Sequence, residues 1–146
     1  MKLIYTSFEK DSNGKPSFAE IEHKNKCYYG IAWVHPDDTD RANQYEGCRI
    51  AHERAIIKAL KADYKEKKAA CEECRKFVKA VTQYKNFNQN DPSAKVMFRQ
   101  LNRRIKEVNR LADEINRRMK DLNTSITQRE IVINAIERKK SKEVNK

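Results

Sequence analysis

Between Ala94 and Glu137 apolar residues recur at alternating spacings of three and four, with no glycine or proline to interrupt them. The stripe runs Ala94, Phe98, Leu101, Ile105, Val108, Ala112, Ile115, Met119, Leu122, Ile126, a polar break at Arg129, then Ile133 and Ile136. One narrow apolar stripe on a long helix is a coiled-coil seam. At about 1.5 Å of rise per residue the helix extends roughly 65 Å, more than a chain of this length covers with its own core. The seam therefore calls for a partner helix.

A polar register accompanies the seam. Asn102-Arg103-Arg104, Asn109-Arg110-Leu111 and Asn116-Arg117-Arg118 repeat at seven residues, and Asn123 begins a fourth copy that lapses into Thr124. Seven residues is two turns, so the asparagines form one row beside the seam and Arg103, Arg110 and Arg117 the next. A carboxamide can donate and accept toward a purine edge, and a guanidinium forks onto phosphate oxygens or stacks on a base. The same residues also read as a solvated face, with Glu107, Asp113, Glu114 and Asp121 available for pairs at spacing four.

The 146 residues make one domain, or one small domain with a helical arm. Charged residues reach 36% and glycine and proline number three each, which suits a helix-rich, elongated protein that gains core by association. A net charge of +11 implies a partner bearing phosphates or other anions, without saying which. No apolar run approaches the ~20 residues needed to cross a bilayer. The start, Met1 to Asp11, has acidic residues where a leader would have its apolar centre, so the chain is expected to stay in the compartment where it is made.

Lys2 to Glu9 is β-prone and is followed by a turn at Asp11 to Pro16, where Asn13-Gly14 readily takes positive φ. Ser17 to Glu22 alternates Phe18, Glu20 and Glu22 against Ala19 and Ile21. A polar connector, His23 to Lys26, leads to a third run, Cys27 to Val34. Three such runs make an antiparallel meander. Thr39 to Gly47 is polar and reads as a loop or the start of a helix. From Cys48 the spacing is helical, and Ile50, Ala51, Ala55, Ile56, Ala59 and Leu60 give a face broad enough to cover the sheet, in a helix that runs to about Tyr84. Asn86 to Ser93 breaks the period and joins two antiparallel helices. Its one aromatic, Phe87, either caps the hairpin or offers a face to a base.

The expected fold is thus α+β: a three-stranded antiparallel sheet plus helix, followed by a long antiparallel helical hairpin or coiled coil. Residues 1–62 form the β-β-β-α unit, 63–137 the hairpin that carries oligomerisation and a ligand site, and 138–146 a flexible basic tail.

Catalytic patterns are missing. There is no glycine-rich phosphate loop, no GxSxG and no HExxH, and the three histidines all precede Arg54. The chain is expected to be no enzyme and to need no cofactor. Cys71-Glu-Glu-Cys74 is a single CxxC with no second pair and no nearby histidine, and it continues the stripe Ile57, Leu60, Tyr64, Cys71, Cys74, Val78, Val81, so packing is the better account than zinc. His35 beside Asp37 and Asp38 reads as a turn or helix cap rather than a metal site.

Several segments resemble one family. Gly30-Ile31-Ala32, His35-Pro36-Asp37-Asp38, Gly47-Cys48-Arg49-Ile50-Ala51-His52-Glu53-Arg54-Ala55, the opening Met1 to Tyr5 and the arginine-rich hairpin after Phe87 are similar to the phage-encoded anti-Thoeris sponge proteins of the first described type. The resemblance implies a protein of the infected bacterial cytoplasm that sequesters, without cleaving, the cyclic ADP-ribose isomer made by a TIR enzyme. It also implies dimers or trimers of dimers and, in some members, a separate site for cyclic di- or trinucleotides. Carried onto this chain, the nucleotide site takes Phe87 as stacker with Asn88, Asn90, Met97 and Arg103 around it, and Arg110, Asp113 and Arg117 for base, ribose and pyrophosphate. Arg54 and Arg49 are assigned to the second site. The rival class is a basic double-stranded nucleic-acid-binding protein with a coiled-coil oligomerisation arm. A third is a structural coiled coil without ligand.

Overall fold

The computed structural model describes the backbone of residues 1–6, 16–33 and 41–144, and the side chains of these except 41–44, 127, 129–133 and 136. The turn expected at Asn13-Gly14, the His35-Pro36-Asp37-Asp38 segment and the seam positions Arg129, Ile133 and Ile136 lie outside this set. The elements are β1 (Lys2–Thr6), β2 (Pro16–His23), β3 (Lys26–Trp33), α1 (Arg41–Thr82) and α2 (Pro92–Val144). The chain is α+β, with the sheet followed by two long antiparallel helices. No helix among the described residues is long and apolar enough to cross a membrane. Two units are present: Met1–Ala59 with Arg117–Lys146, and Leu60–Asn116.

In the first unit the strands lie in the order β1-β2-β3, all antiparallel. The connector between β2 and β3 is a two-residue turn, Lys24 and Asn25, both with positive φ (52° and 61°), the conformation whose twist matches a tight hairpin. It fixes an unbroken register from His23 opposite Lys26 to Pro16 opposite Trp33. With side chains alternating between faces, Ser17, Ala19 and Ile21 of β2 join Gly30 and Ala32 of β3 on the buried face. Phe18, Tyr29, Ile31 and Trp33 share the outer face and are 43%, 56%, 43% and 74% exposed.

The buried face is built of small residues because α1 lies close on it. Ala19, Ala32 and Ala51 form one cluster, with Ile50 against it. Ile21, Ala55 and Ala59 form another, flanked by Tyr28 and Ile56. Gly30 marks the closest approach: a Cβ there would fall 2.8 Å from the Ala55 backbone nitrogen and closer still to the Ala51 carbonyl oxygen. Arg54 adds a polar tie, its Nη1 donating to the Ile31 carbonyl oxygen at 2.7 Å on the edge strand β3. An edge strand leaves backbone groups unpaired, and this guanidinium satisfies one of them. Farther along the chain, Arg118 of α2 donates to Glu53 of α1 at 2.7 Å, both side chains largely shielded from solvent. In the sequence Arg118 closes the triplet Asn116-Arg117-Arg118, next to the row of Arg103, Arg110 and Arg117. In the fold it is a helix-to-helix tie.

In the second unit α1 and α2 form the hairpin. The α1 stripe is buried at Leu60, Cys71 and Val78, and α2 buries Ala94, Leu111 and Ile115. Lys67 and Glu107 pair across the helices at 3.3 Å. Of the seam positions in this unit, Ala94 and Ile115 are buried within the chain, and Phe98, Leu101, Ile105, Val108 and Ala112 are half-buried. Leu111, the third residue of the triplet Asn109-Arg110-Leu111 and outside the seam as read from the sequence, is 5% exposed. A seven-residue repeat drifts about 20° per heptad on a straight helix, which carries position 111 into the contact face. Cys71 is buried and Cys74 half-buried, both as free thiols. The connection is shorter than the composition suggests, because Pro92 and Ser93 already belong to α2. Asp91 caps the helix by accepting from the Ser93 N–H at 2.9 Å, and its carbonyl accepts from Lys95 N–H at 3.1 Å. Pro92 then occupies the first helical position, where its missing N–H is no loss.

Candidate functional site

The hairpin end of the second unit holds two adjacent concavities. One is a mainly apolar cavity of about 340 Å³ lined by Phe77, Val81, Phe87, Ala94 and Met97, with Asn86, Asn88, Asp91 and Ser93 at its polar edge. Phe87 reaches it because the chain turns tightly after α1: its N–H donates to the Tyr84 carbonyl at 3.0 Å. Its ring meets Phe98 edge-on at 6.2 Å between centroids, a geometry that fixes the ring plane. Asn88 shapes the same turn, its Oδ1 accepting from the Asn90 N–H at 3.0 Å. Asn88 thus holds the loop as well as facing the cavity, and Asn90 contributes through its backbone.

The second concavity is a shallow groove of about 630 Å³ on α2, lined by Lys95, Phe98, Arg99, Asn102, Arg103 and Lys106. Phe98 lines the groove and meets Phe87 of the cavity. Of the expected residues, the fold thus brings Phe87, Asn88 and Met97 to one cavity and Arg103 to the groove beside it.

None of the remaining expected residues lines either concavity. Arg110 is exposed and pairs along α2 with Glu114 at 3.7 Å. Asp113 is exposed on α2, and Arg117 falls in the other unit. Arg54 donates one of its five N–H groups to the Ile31 carbonyl. Arg49 pairs with Glu46, its Nε at 3.0 Å from Oε2; that hydrogen bond raises the guanidinium pKa against a smaller opposing effect of burial. Lys95, Arg99 and Lys106 escaped the sequence reading, which followed a repeat of seven and placed Phe98 in the seam and Asn102 in the asparagine row. Their signal was a run of cations at spacings of four, four and three.

Among the described residues no cluster of three or more His, Cys, Asp or Glu could hold a metal ion. The outer sheet face carries a different electrostatic pattern. Glu20 accepts from the Tyr29 hydroxyl at 3.3 Å, and its charge raises that hydroxyl's pKa. The hydrogen bond to Glu20 likewise raises the pKa of the exposed Cys27 thiol, with Glu22 adding to the effect. A raised pKa means less thiolate at a given pH, so Cys27 should alkylate slowly for an exposed cysteine. Glu20→Gln is expected to accelerate iodoacetamide labelling of Cys27 severalfold at pH 8, read by peptide mass spectrometry. An unchanged rate would remove Glu20 as the cause. Cys48 is buried, which also raises its thiol pKa.

Comparison with protein-family models, with curated proteins and with solved structures returned no match to this chain.

Proposed function

We propose that the hairpin end captures a nucleotide signal without transforming it, and that the chain acts as a phage counter-defence sponge for a cyclic ADP-ribose isomer in the infected bacterial cytoplasm. Thoeris signalling is the pathway it would silence, with CBASS added if cyclic di- or trinucleotides also bind. The observation that carries this reading is the cavity itself. Its about 340 Å³ lie within the usual size range of small-molecule sites, and Phe87, Val81 and Met97 offer apolar surface to a purine, with asparagines at the edge for its polar atoms. Phe87, pinned by Phe98, supplies a stacking face. Arg110, Asp113 and Arg117 remain the residues that the anti-Thoeris resemblance assigns to ribose and pyrophosphate; Arg110 lies about 18 Å along α2 from Phe98, so in the proposed assembly these residues reach the ligand from a second copy of the chain. Assembly as a dimer or trimer of dimers is part of the same reading.

Calorimetry with the purified cyclic ADP-ribose isomer tests it. Phe87→Ala is expected to weaken capture at least tenfold, about 1.4 kcal/mol, and Arg110→Ala and Arg117→Ala each by a similar factor, with the helical content unchanged. Parent-like binding by the Phe87 variant would place any site elsewhere. The ligand should be recovered intact after heating the complex. The rival, a duplex nucleic-acid binder, predicts a different record: tight duplex binding that falls steeply with salt as counterions are released, and no retention of small nucleotides.

A further inference from the structure

We infer that the groove on α2 formed by Lys95, Arg99, Asn102, Arg103 and Lys106 is a binding site for an anion carrying at least two phosphate groups. Four cations line one shallow depression of about 630 Å³. Along the helix they follow one another at spacings of four, four and three, so each faces a like charge on the next turn, an arrangement that disfavours the helix on its own. The carboxylates that could relieve it are turned away. Glu107 pairs with Lys67 at 3.3 Å on α1, and Asp91 caps the helix through the Ser93 N–H at 2.9 Å. No carboxylate pairs with Lys95, Arg99, Arg103 or Lys106 among the described residues, whereas Arg49, Arg110 and Arg118 each have one. Such unrelieved charge is what an incoming polyanion would neutralise.

Phosphate fits these groups better than carboxylate does. Two guanidiniums offer planar forks to paired oxygens, two ammoniums add point charges, and the Asn102 amide can donate between them. Lys95 and Lys106 lie about 16 Å apart along the axis, and their long side chains can converge from both ends on a chain of two or three phosphates. Phe98, in the groove and against Phe87, places the phosphate groups beside the cavity that would take a base. The inference rests on the capture reading only for that base. A phosphate chain with no base attached has the same chemistry.

The experiment uses the full chain in 0.15 M salt and four probes: inorganic tripolyphosphate, adenosine, AMP and ADP. The parent is expected to bind tripolyphosphate, and to bind ADP more tightly than AMP. Arg99→Gln with Lys106→Gln should weaken tripolyphosphate and ADP at least tenfold and leave adenosine unchanged. Arg75→Gln with Lys79→Gln, which removes the same charge from exposed positions on α1, should leave all four unchanged. Loss of tripolyphosphate binding in that control to the same degree, undiminished binding in the groove variant, or no binding by the parent would each overturn the site. Phe87→Ala separates the two readings. If it weakens ADP and spares tripolyphosphate, the phosphates belong to a nucleotide seated in the cavity. If adenosine fails to bind the parent while tripolyphosphate binds at the groove, the capture reading fails and the groove stands as a free phosphate site.

Discussion

Gly30→Ala is expected to lower the stability of the sheet-and-helix unit by about 3 kcal/mol or more, at the upper end of what overpacking costs. The added methyl group would meet backbone atoms, the Ala51 carbonyl oxygen and the Ala55 nitrogen, and neither can rotate aside as a side chain would. Relief requires α1 to lift from β3, and that opens the Ala19, Ala32 and Ala51 cluster beneath it. Urea unfolding followed by circular dichroism reads the effect as a lower midpoint. A change within about 0.5 kcal/mol, the range of ordinary surface substitutions, would show that the helix can yield at no cost and that the close approach is not required.

Ile115→Asp should be the most damaging change in the hairpin, because Ile115 is 7% exposed within the chain itself. It removes a core contact and buries a carboxylate, together about 4 kcal/mol or more. Ile105, half-buried, has part of its side chain left for a partner, so Ile105→Asp should keep the helical signal and move the mass in light scattering toward smaller species. The pair of results separates the two roles of one stripe. If Ile115→Asp remains fully helical and only its mass falls, α1 is not what covers that position. An unchanged mass for Ile105→Asp would leave the seam without an inter-chain role.

The parts of this fold that could be read in advance are those in which one pattern has one physical cause. Alternation between Phe18 and Ala19, Glu20 and Ile21 marks a strand with one covered face, and the Ala51, Ala55, Ala59 spacing marks the helix that covers it. Features missed or misplaced were those in which two causes compete. Gly47 lowers helix propensity, so the segment before Cys48 read equally as loop, yet α1 begins at Arg41. Pro92 read as a breaker because a proline inside a helix is costly, although the first helical position tolerates it. Leu111 lay within a polar triplet, and only the drift of a heptad stripe exposes its role. At the hairpin end, Phe87 stood out as the lone aromatic of its loop. Of the neighbouring cations only Arg103 did, since charged residues on a long helix are normally solvated, and the direction taken by Glu107 and Asp91 belongs to the fold rather than to the spacing.

The outer sheet face has an optical consequence. Trp33 is the chain's single tryptophan and stands 74% exposed beside Ile31 and Tyr29. Its indole is already in water in the folded protein, so its emission changes little when the chain unfolds and is a poor gauge of stability. The same exposure makes it a sensitive gauge of cover. Any molecule that settles on the aromatic face would carry the indole into a less polar setting and shift its emission to shorter wavelength.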